Sequence, residues 1–172
     1  MRLVTKHVVV LPYEKQRQQE FQIIKNELSN ALGQLAVSIE HVGSTAVEGL
    51  SAKPIIDIDV VIEDYDKLDA VIDALGKIGY RHEGDLGILG REAFTYDCKD
   101  HLQKHHLYVC PQDSEELHKH LAFRNYLRTH PEAVLEYGRI KEEGAKLYPF
   151  DIDGYIAFKS VYIEKIYDMI GV

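Results

Sequence analysis

The segment 55–62, with the sequence IIDIDVVI, constrains this chain more than any other stretch because it has the composition and length of a strand. Pro54 precedes it, and proline is tolerated at the first position of a strand. Strand side chains alternate between two faces, so Asp57 and Asp59 should point the same way, ~6.6 Å apart along the strand. The apolar residues between them should point into a core. We therefore expect a strand that presents two carboxylates on one face.

The spacing of apolar residues elsewhere predicts further strands and a series of helices. The predicted strands are 3–11, 35–42, 55–62, 92–97 and 104–110, and the predicted helices are 13–32, 64–79, 113–129, 131–147 and one that begins at Asp151 or Asp153. Asp64 is placed to cap its helix, and Asp113 and Glu116 have the spacing of a capping pair. This order predicts an α+β fold, with a small mixed sheet flanked by helices. We expect one domain over 1–172, with a sheet-containing core in 1–112 and a helical part in 113–172.

Net charge and the absence of long apolar runs argue against two kinds of partner, nucleic acid and membrane. The chain has 20 basic and 28 acidic residues, a net charge of −8. Sequence-independent nucleic-acid binding requires a basic face, so the charge argues against it. Cys98 and Cys110 are the only cysteines, as is typical of a reduced compartment, and no apolar run reaches the length of a membrane span. We expect a cytoplasmic protein without a membrane partner.

The paired aspartates suggest a cation site. Two neighbouring carboxylates repel one another, and each favours a partner of opposite charge. A divalent cation such as Mg²⁺ satisfies both, since it binds one or two carboxylates together with phosphate oxygens of a substrate. Asp57 and Asp59 are therefore candidate metal ligands. A solvated polar strand face is the alternative explanation of this pattern.

A candidate phosphate-binding turn lies upstream, where the predicted strand 35–42 ends at Gly43-Ser44. Glycine allows close approach of a phosphate, serine adds a hydroxyl donor, and the N-terminus of a helical turn attracts anions. Thr45 and Glu48 have capping-box spacing, which favours a short helix here. Lys53, held extended by the proline that follows it, is placed to reach the same anion.

These motifs carry a resemblance. Gly-Ser followed by Asp-Ile-Asp resembles the signature of the polymerase-beta-like nucleotidyltransferase superfamily, and most of the chain is similar to the bacterial GrpB family. The matching residues are Pro12-Tyr13, Phe21, 41–47, Gly49-Leu50, 52–58, Gly90-Arg91, 105–107, 121–128 and 130–133. The resemblance implies a nucleotidyltransferase-like fold.

The same resemblance points to a departure. Active nucleotidyltransferases commonly add a third carboxylate from a neighbouring strand, and here His106 is expected near that position. Arg91, after a glycine-rich loop, and Arg124, on a predicted helix, are candidate anion contacts, each with an ordinary surface role as the alternative. Isolated histidines, His120 among them, are expected at the surface or at helix caps.

The leading functional hypothesis is metal-dependent nucleotidyl transfer to an unidentified acceptor. Gly43 and Ser44 would hold the phosphates of a nucleoside triphosphate or another phosphorylated small molecule, and Asp57 and Asp59 would hold Mg²⁺ or Mn²⁺. The alternative is a non-catalytic module that binds a nucleotide or, by resemblance to relatives fused to a coenzyme A biosynthetic kinase, a coenzyme A-related compound. Metal-assisted phosphoester hydrolysis, with water as acceptor, is a third possibility.

Overall fold

A five-stranded mixed sheet forms the centre of the computed structural model, which describes residues 7–172. The strands are β1 (Ser38–Val42), β2 (Ile56–Ile62), β3 (Arg81–Gly84), β4 (Glu92–Thr95) and β5 (His105–Pro111). The helices are α1 (Gln16–Leu32), α2 (Leu68–Lys77), α3 (Glu115–Thr129), α4 (Pro131–Leu147) and α5 (Ile152–Ile170). The predicted mixture of a small sheet with flanking helices is confirmed.

The strand order is β1-β2-β5-β4-β3, which places the aspartate strand inside the sheet. β2 runs antiparallel to β1 and parallel to β5, and the remaining neighbours pair antiparallel. In the parallel pair, Asp57 lies opposite His106 and Asp59 lies opposite Tyr108. Opposed residues share a face, so these four side chains project from one side of the sheet.

The opposite face of the sheet forms the main core. Ile56, Ile58 and Val60 are fully buried there, and they pack with apolar residues of α1 and α2. A second core joins α3, α4 and α5 to the segment that follows β1, with Leu50 and Tyr137 buried in it. No helix within residues 7–172 is long and apolar enough to cross a membrane. The three C-terminal helices are thus anchored beside the predicted phosphate-binding turn.

Several local predictions differ from the structure. The predicted strand 3–11 lies partly outside the described residues, and its remainder contributes only an isolated bridge between Leu11 and Ala52. The short strand β3 was not predicted, because its sequence RHEG has no apolar residue. The Asp113–Glu116 capping pair is wrong, since Ser114 is the N-cap and its hydroxyl accepts from the Leu117 amide at 3.2 Å. Serine is a favourable N-cap because its side-chain oxygen accepts from an amide that has no partner within the helix.

Candidate functional site

The turn after β1 brings backbone directly against the first aspartate. Gly43 has φ +72° and ψ −171°, a conformation that few residues other than glycine adopt. A Cβ at this position would lie 2.5 Å from Asp57 Oδ2, so a side chain has no room. The following helical segment is only the 3₁₀ turn Ser44–Ala46, shorter than expected. The capping role predicted for Thr45 is wrong, because its hydroxyl is hydrogen-bonded to His41 Nε2 at 2.8 Å.

A small polar cavity opens beside this turn. It has a volume of about 180 Å³ and lies between the turn, the start of β2 and the two last helices. The polar side chains lining it are Ser44, Thr45, Lys53, Asp57, His106, Lys141 and Lys159. The structure therefore brings four of the predicted residues (Ser44, Lys53, Asp57 and His106) to one place.

Lysine side chains from three separate segments converge on the cavity. Lys141 Nζ donates a hydrogen bond to Ser44 Oγ at 2.5 Å. Lys53 and Lys159 both lie over the ring of Tyr155, with Nζ-to-centroid distances of 5.8 and 5.2 Å. Lys159 shares a helix face with Tyr155, so its approach was foreseeable from spacing, whereas Lys141 carries no signal in the sequence. Three cations on one cavity wall are complementary to a ligand with several negative charges.

Burial lowers the pKa values of two of these lysines. Desolvation, together with repulsion from Lys159, lowers the pKa of Lys141 well below its usual value, although Asp57 opposes the shift. Desolvation, together with repulsion from Lys53, likewise lowers the pKa of Lys159. An anion in the cavity would reverse both effects because it favours the charged ammonium.

The two aspartates share a face, as predicted, but have different environments. Asp57 is partly exposed, and its Oδ1 lies 2.9 Å from His106 Nδ1. Asp59 is fully buried, and its Oδ2 lies 2.6 Å from His120 Nδ1. His120 is therefore not an ordinary surface histidine. Burial disfavours its charged form, yet the hydrogen bond and charge of Asp59, with help from Glu116, raise its pKa.

The two aspartates could bind a divalent cation only if substrate phosphate oxygens and water supplied its other ligands. Asp59 Oδ1 is buried and has no hydrogen-bond partner. This carboxylate oxygen, on the same face of the sheet as Asp57, is therefore available as a metal ligand. Residues 7–172 contain no cluster of three or more His, Cys, Asp or Glu side chains arranged to hold a metal ion. Mg²⁺ typically takes one or two carboxylates and completes its shell with substrate phosphate oxygens and water. Asp57 and Asp59 are compatible with that mode of binding.

The two predicted arginines lie outside the cavity. Arg124 donates to Glu40 Oε2 at 2.8 Å and to the His41 carbonyl at 3.0 Å, so it ties α3 to β1. Arg91 lies over the ring of Tyr108, with its guanidinium carbon 4.2 Å from the ring centre. In this structure Arg124 holds α3 against the end of β1, and Arg91 packs beside the aspartate face.

Comparison with solved structures identifies the fold. A crystal structure of the conserved protein GrpB from Enterococcus faecalis matches at 33% identity and a TM-score of 0.82, covering 94% of this chain and 96% of that one. The Cid1 protein, in the complex with its short product ApU, matches at 12% identity and a TM-score of 0.55, covering 80% of this chain and 43% of that one. The Cid1 poly(U) polymerase with MgGTP bound likewise matches, at 12% identity and a TM-score of 0.56. The fold is nucleotidyltransferase-like.

Sequence comparison gives the relatives. The protein YqkA of Bacillus subtilis is 30% identical over 157 residues, which is 91% of this chain but 45% of YqkA. The glutamate-rich protein GrpB of Alkalihalophilus pseudofirmus is 30% identical over 164 residues, covering 92% of this chain and 93% of that protein. A dephospho-CoA kinase of Mycolicibacterium paratuberculosis is 24% identical over 93% of this chain, which spans 45% of its length. The GrpB protein family model matches residues 7–169, and this chain therefore belongs to the GrpB family.

Proposed function

We propose that this chain binds a nucleoside triphosphate together with Mg²⁺ or Mn²⁺ and transfers the nucleotidyl group to an acceptor. One observation carries the proposal: Lys141, Lys159 and Lys53 converge with Ser44 on a cavity whose other wall holds Asp57. A triphosphate has the several negative charges that such a cavity requires. The nucleotidyltransferase-like fold supports the same assignment.

Different residues would bind the phosphates and the cation. Ser44 and the three lysines would hold the β- and γ-phosphates, while Gly43 lets the turn lie close to Asp57. Asp57 and Asp59 would hold the cation, which when bound supplies charge stabilisation at the α-phosphoryl group. The lysines also balance the charge that builds up on the departing pyrophosphate. Arg128 donates to the Ala46 carbonyl at 3.0 Å and Arg124 bonds the end of β1, so α3 holds the phosphate-binding turn in position before the ligand binds.

The Asp57→Asn/Asp59→Asn double variant tests the assignment. Asn retains the size of Asp but loses the negative charge that a hard cation requires. We expect Mg²⁺-dependent binding of ATP or UTP to weaken at least about tenfold by isothermal titration calorimetry. Pyrophosphate release, measured across an acceptor panel, should disappear. The exposed Asp73→Asn is the matched control and should leave both readouts unchanged. Unaltered binding in the double variant would remove the metal site from the proposal.

The affinity for a triphosphate should fall as pH rises. The pKa values of Lys141 and Lys159 are lowered in the free protein, and a bound polyanion raises them again. Binding therefore takes up protons, and linkage weakens it as pH rises between the free and bound pKa values. Calorimetry between about pH 6 and pH 9, in two buffers of different ionisation enthalpy, measures the uptake. The Lys141→Met variant should take up fewer protons on triphosphate binding than the parent protein does. Proton release on binding would contradict the proposed role of the lysines.

A second candidate function is binding without turnover. The parallel register puts His106, and not a carboxylate, beside Asp57. Imidazole is a poorer Mg²⁺ ligand than carboxylate, so the site is less well equipped for catalysis than for holding a nucleotide. The similarity to a dephospho-CoA kinase adds coenzyme A-related phosphates to the candidate ligands. Stoichiometric binding without pyrophosphate release would favour this function, and release that requires Asp57 and Asp59 would exclude it.

A further inference from the structure

We infer that the acceptor of the transfer is a small, hydroxyl-bearing molecule, neutral or cationic, bound in a second recess on the same face of the sheet. The inference rests on the proposed function. The recess has a volume of about 600 Å³ and lies over β4 and β5. We call it the acceptor groove; the residues on which the argument depends are Glu83, Thr95, Asp100, Lys104, His106 and Tyr108.

Sheet register fixes the floor of the acceptor groove on the aspartate face. Tyr108 lies opposite Asp59 on one side and opposite Ala93 on the other. Thr95 follows Ala93 by two residues, so it projects from the same face. Alanine and threonine are small, which leaves open space beside the larger ring of Tyr108. The groove is thus a continuation of the surface that carries Asp57.

The position of the acceptor groove suits an attacking group. His106 lines both the lysine cavity and the groove, so the two recesses meet beside Asp57. Phosphoryl substitution is in line, with the nucleophile entering opposite the leaving group. The lysine cavity lies at the turn after β1 and the groove lies over β5 and β4, so in the strand order they fall on opposite sides of β2, which carries Asp57. The acceptor oxygen would bond to the α-phosphorus as the bond to the β-phosphate oxygen breaks. The hydroxyl proton passes to solvent water, and pyrophosphate leaves.

Size and charge define the class of acceptor. A volume of about 600 Å³ lies within the range of sites for small molecules. Of the charged groups in the groove, Asp97 pairs with Arg81 at 2.6 Å and Lys99 pairs with Glu27 at 3.3 Å.

Apart from Asp97 and Lys99, which have these partners, the charged side chains that line the groove are two carboxylates, Glu83 and Asp100, and one ammonium, Lys104. A phosphodiester chain requires a surplus of cations, which this lining lacks. A neutral or cationic polyol is compatible with it.

Protein-observed NMR tests the inference with myo-inositol and glucosamine as small polyols and decauridylate as an RNA probe. Each is titrated with and without Mg²⁺ and α,β-methylene-ATP. At least one polyol should shift the amides of Ala93, Thr95, His106 and Tyr108, whereas decauridylate should leave them unchanged. Thr95→Tyr, which fills the floor with a residue that strands favour, should weaken the polyol at least about tenfold. Thr129→Tyr, the same change at an exposed position on α3, is the control and should have no effect.

The outcomes separate the two proposals. The acceptor assignment is overturned if decauridylate shifts the groove amides, or if neither polyol shifts them. It is also overturned if the polyol shifts persist in the Thr95→Tyr variant. The binding of α,β-methylene-ATP is measured separately by calorimetry. If the nucleotide analogue fails to bind while a polyol still occupies the groove, the triphosphate proposal fails and the groove assignment stands.

Discussion

Replacing Gly43 with alanine should both destabilise the protein and weaken triphosphate binding at the cavity. The backbone at Gly43, with φ +72° and ψ −171°, costs about 1–3 kcal/mol for a residue with a side chain. The new Cβ would also lie 2.5 Å from Asp57 Oδ2, so the carboxylate has to move. We expect the free energy of unfolding to fall by at least that amount, and triphosphate affinity to fall at least about tenfold. Urea denaturation and calorimetry measure the two effects.

Gly33→Ala is the matched control for this substitution. Gly33 also has positive φ, +54°, but a Cβ added there meets no atom within 4 Å. The control variant should therefore lose stability through backbone strain alone and bind triphosphate normally. If Gly43→Ala also binds normally, the close contact between the turn and Asp57 has no role in the site.

Removing the imidazole of His120 should produce the second large effect. Asp59 is fully buried, and His120 Nδ1 lies 2.6 Å from its Oδ2. His120→Ala leaves this carboxylate without its partner, and breaking a buried pair in this way costs about 3–5 kcal/mol. Chemical denaturation should show this loss in the free energy of unfolding. A variant as stable as the parent would mean that the pair contributes nothing.

The contribution of His120 should also depend on pH in a defined direction. Its pKa is raised in the folded protein, chiefly because the hydrogen bond and charge of Asp59 outweigh the effect of burial. The stabilisation is therefore complete below the ordinary histidine pKa of about 6.5 and is lost as pH rises through the higher folded value. His120→Asn is the control, because the Asn amide can donate to Asp59 without titrating. It should recover part of the stability and flatten the pH dependence.

The predictable part of the site depends on short-range patterns. Alternation along β2 placed Asp57 and Asp59 on one face, and the structure confirms that placement. Apolar spacing gave the helices with small errors at their ends: α1 begins at Gln16 and not at residue 13, whereas α4 begins at Pro131 as predicted. The position of His106 beside Asp57 followed from assuming that their strands are neighbours, and the parallel register confirms it.

The remainder depends on contacts between distant segments. Lys141 reaches Ser44 from 97 residues away, and His120 reaches Asp59 from 61 residues away. A lysine or histidine on a helix has the same sequence signal whether it faces solvent or a buried partner, since neither breaks the helical pattern. Only the packing of α3, α4 and α5 against the sheet decides between the two environments.

The parallel pairing of β2 with β5 has an evolutionary corollary. A single-residue insertion or deletion inside either strand would turn its polar side chains toward the apolar core, because strand side chains alternate. The hairpin tip between β3 and β4 is under no such constraint, and Leu89 there is 85% exposed. We therefore expect a change in chain length to be tolerated at that tip and not within β2 or β5.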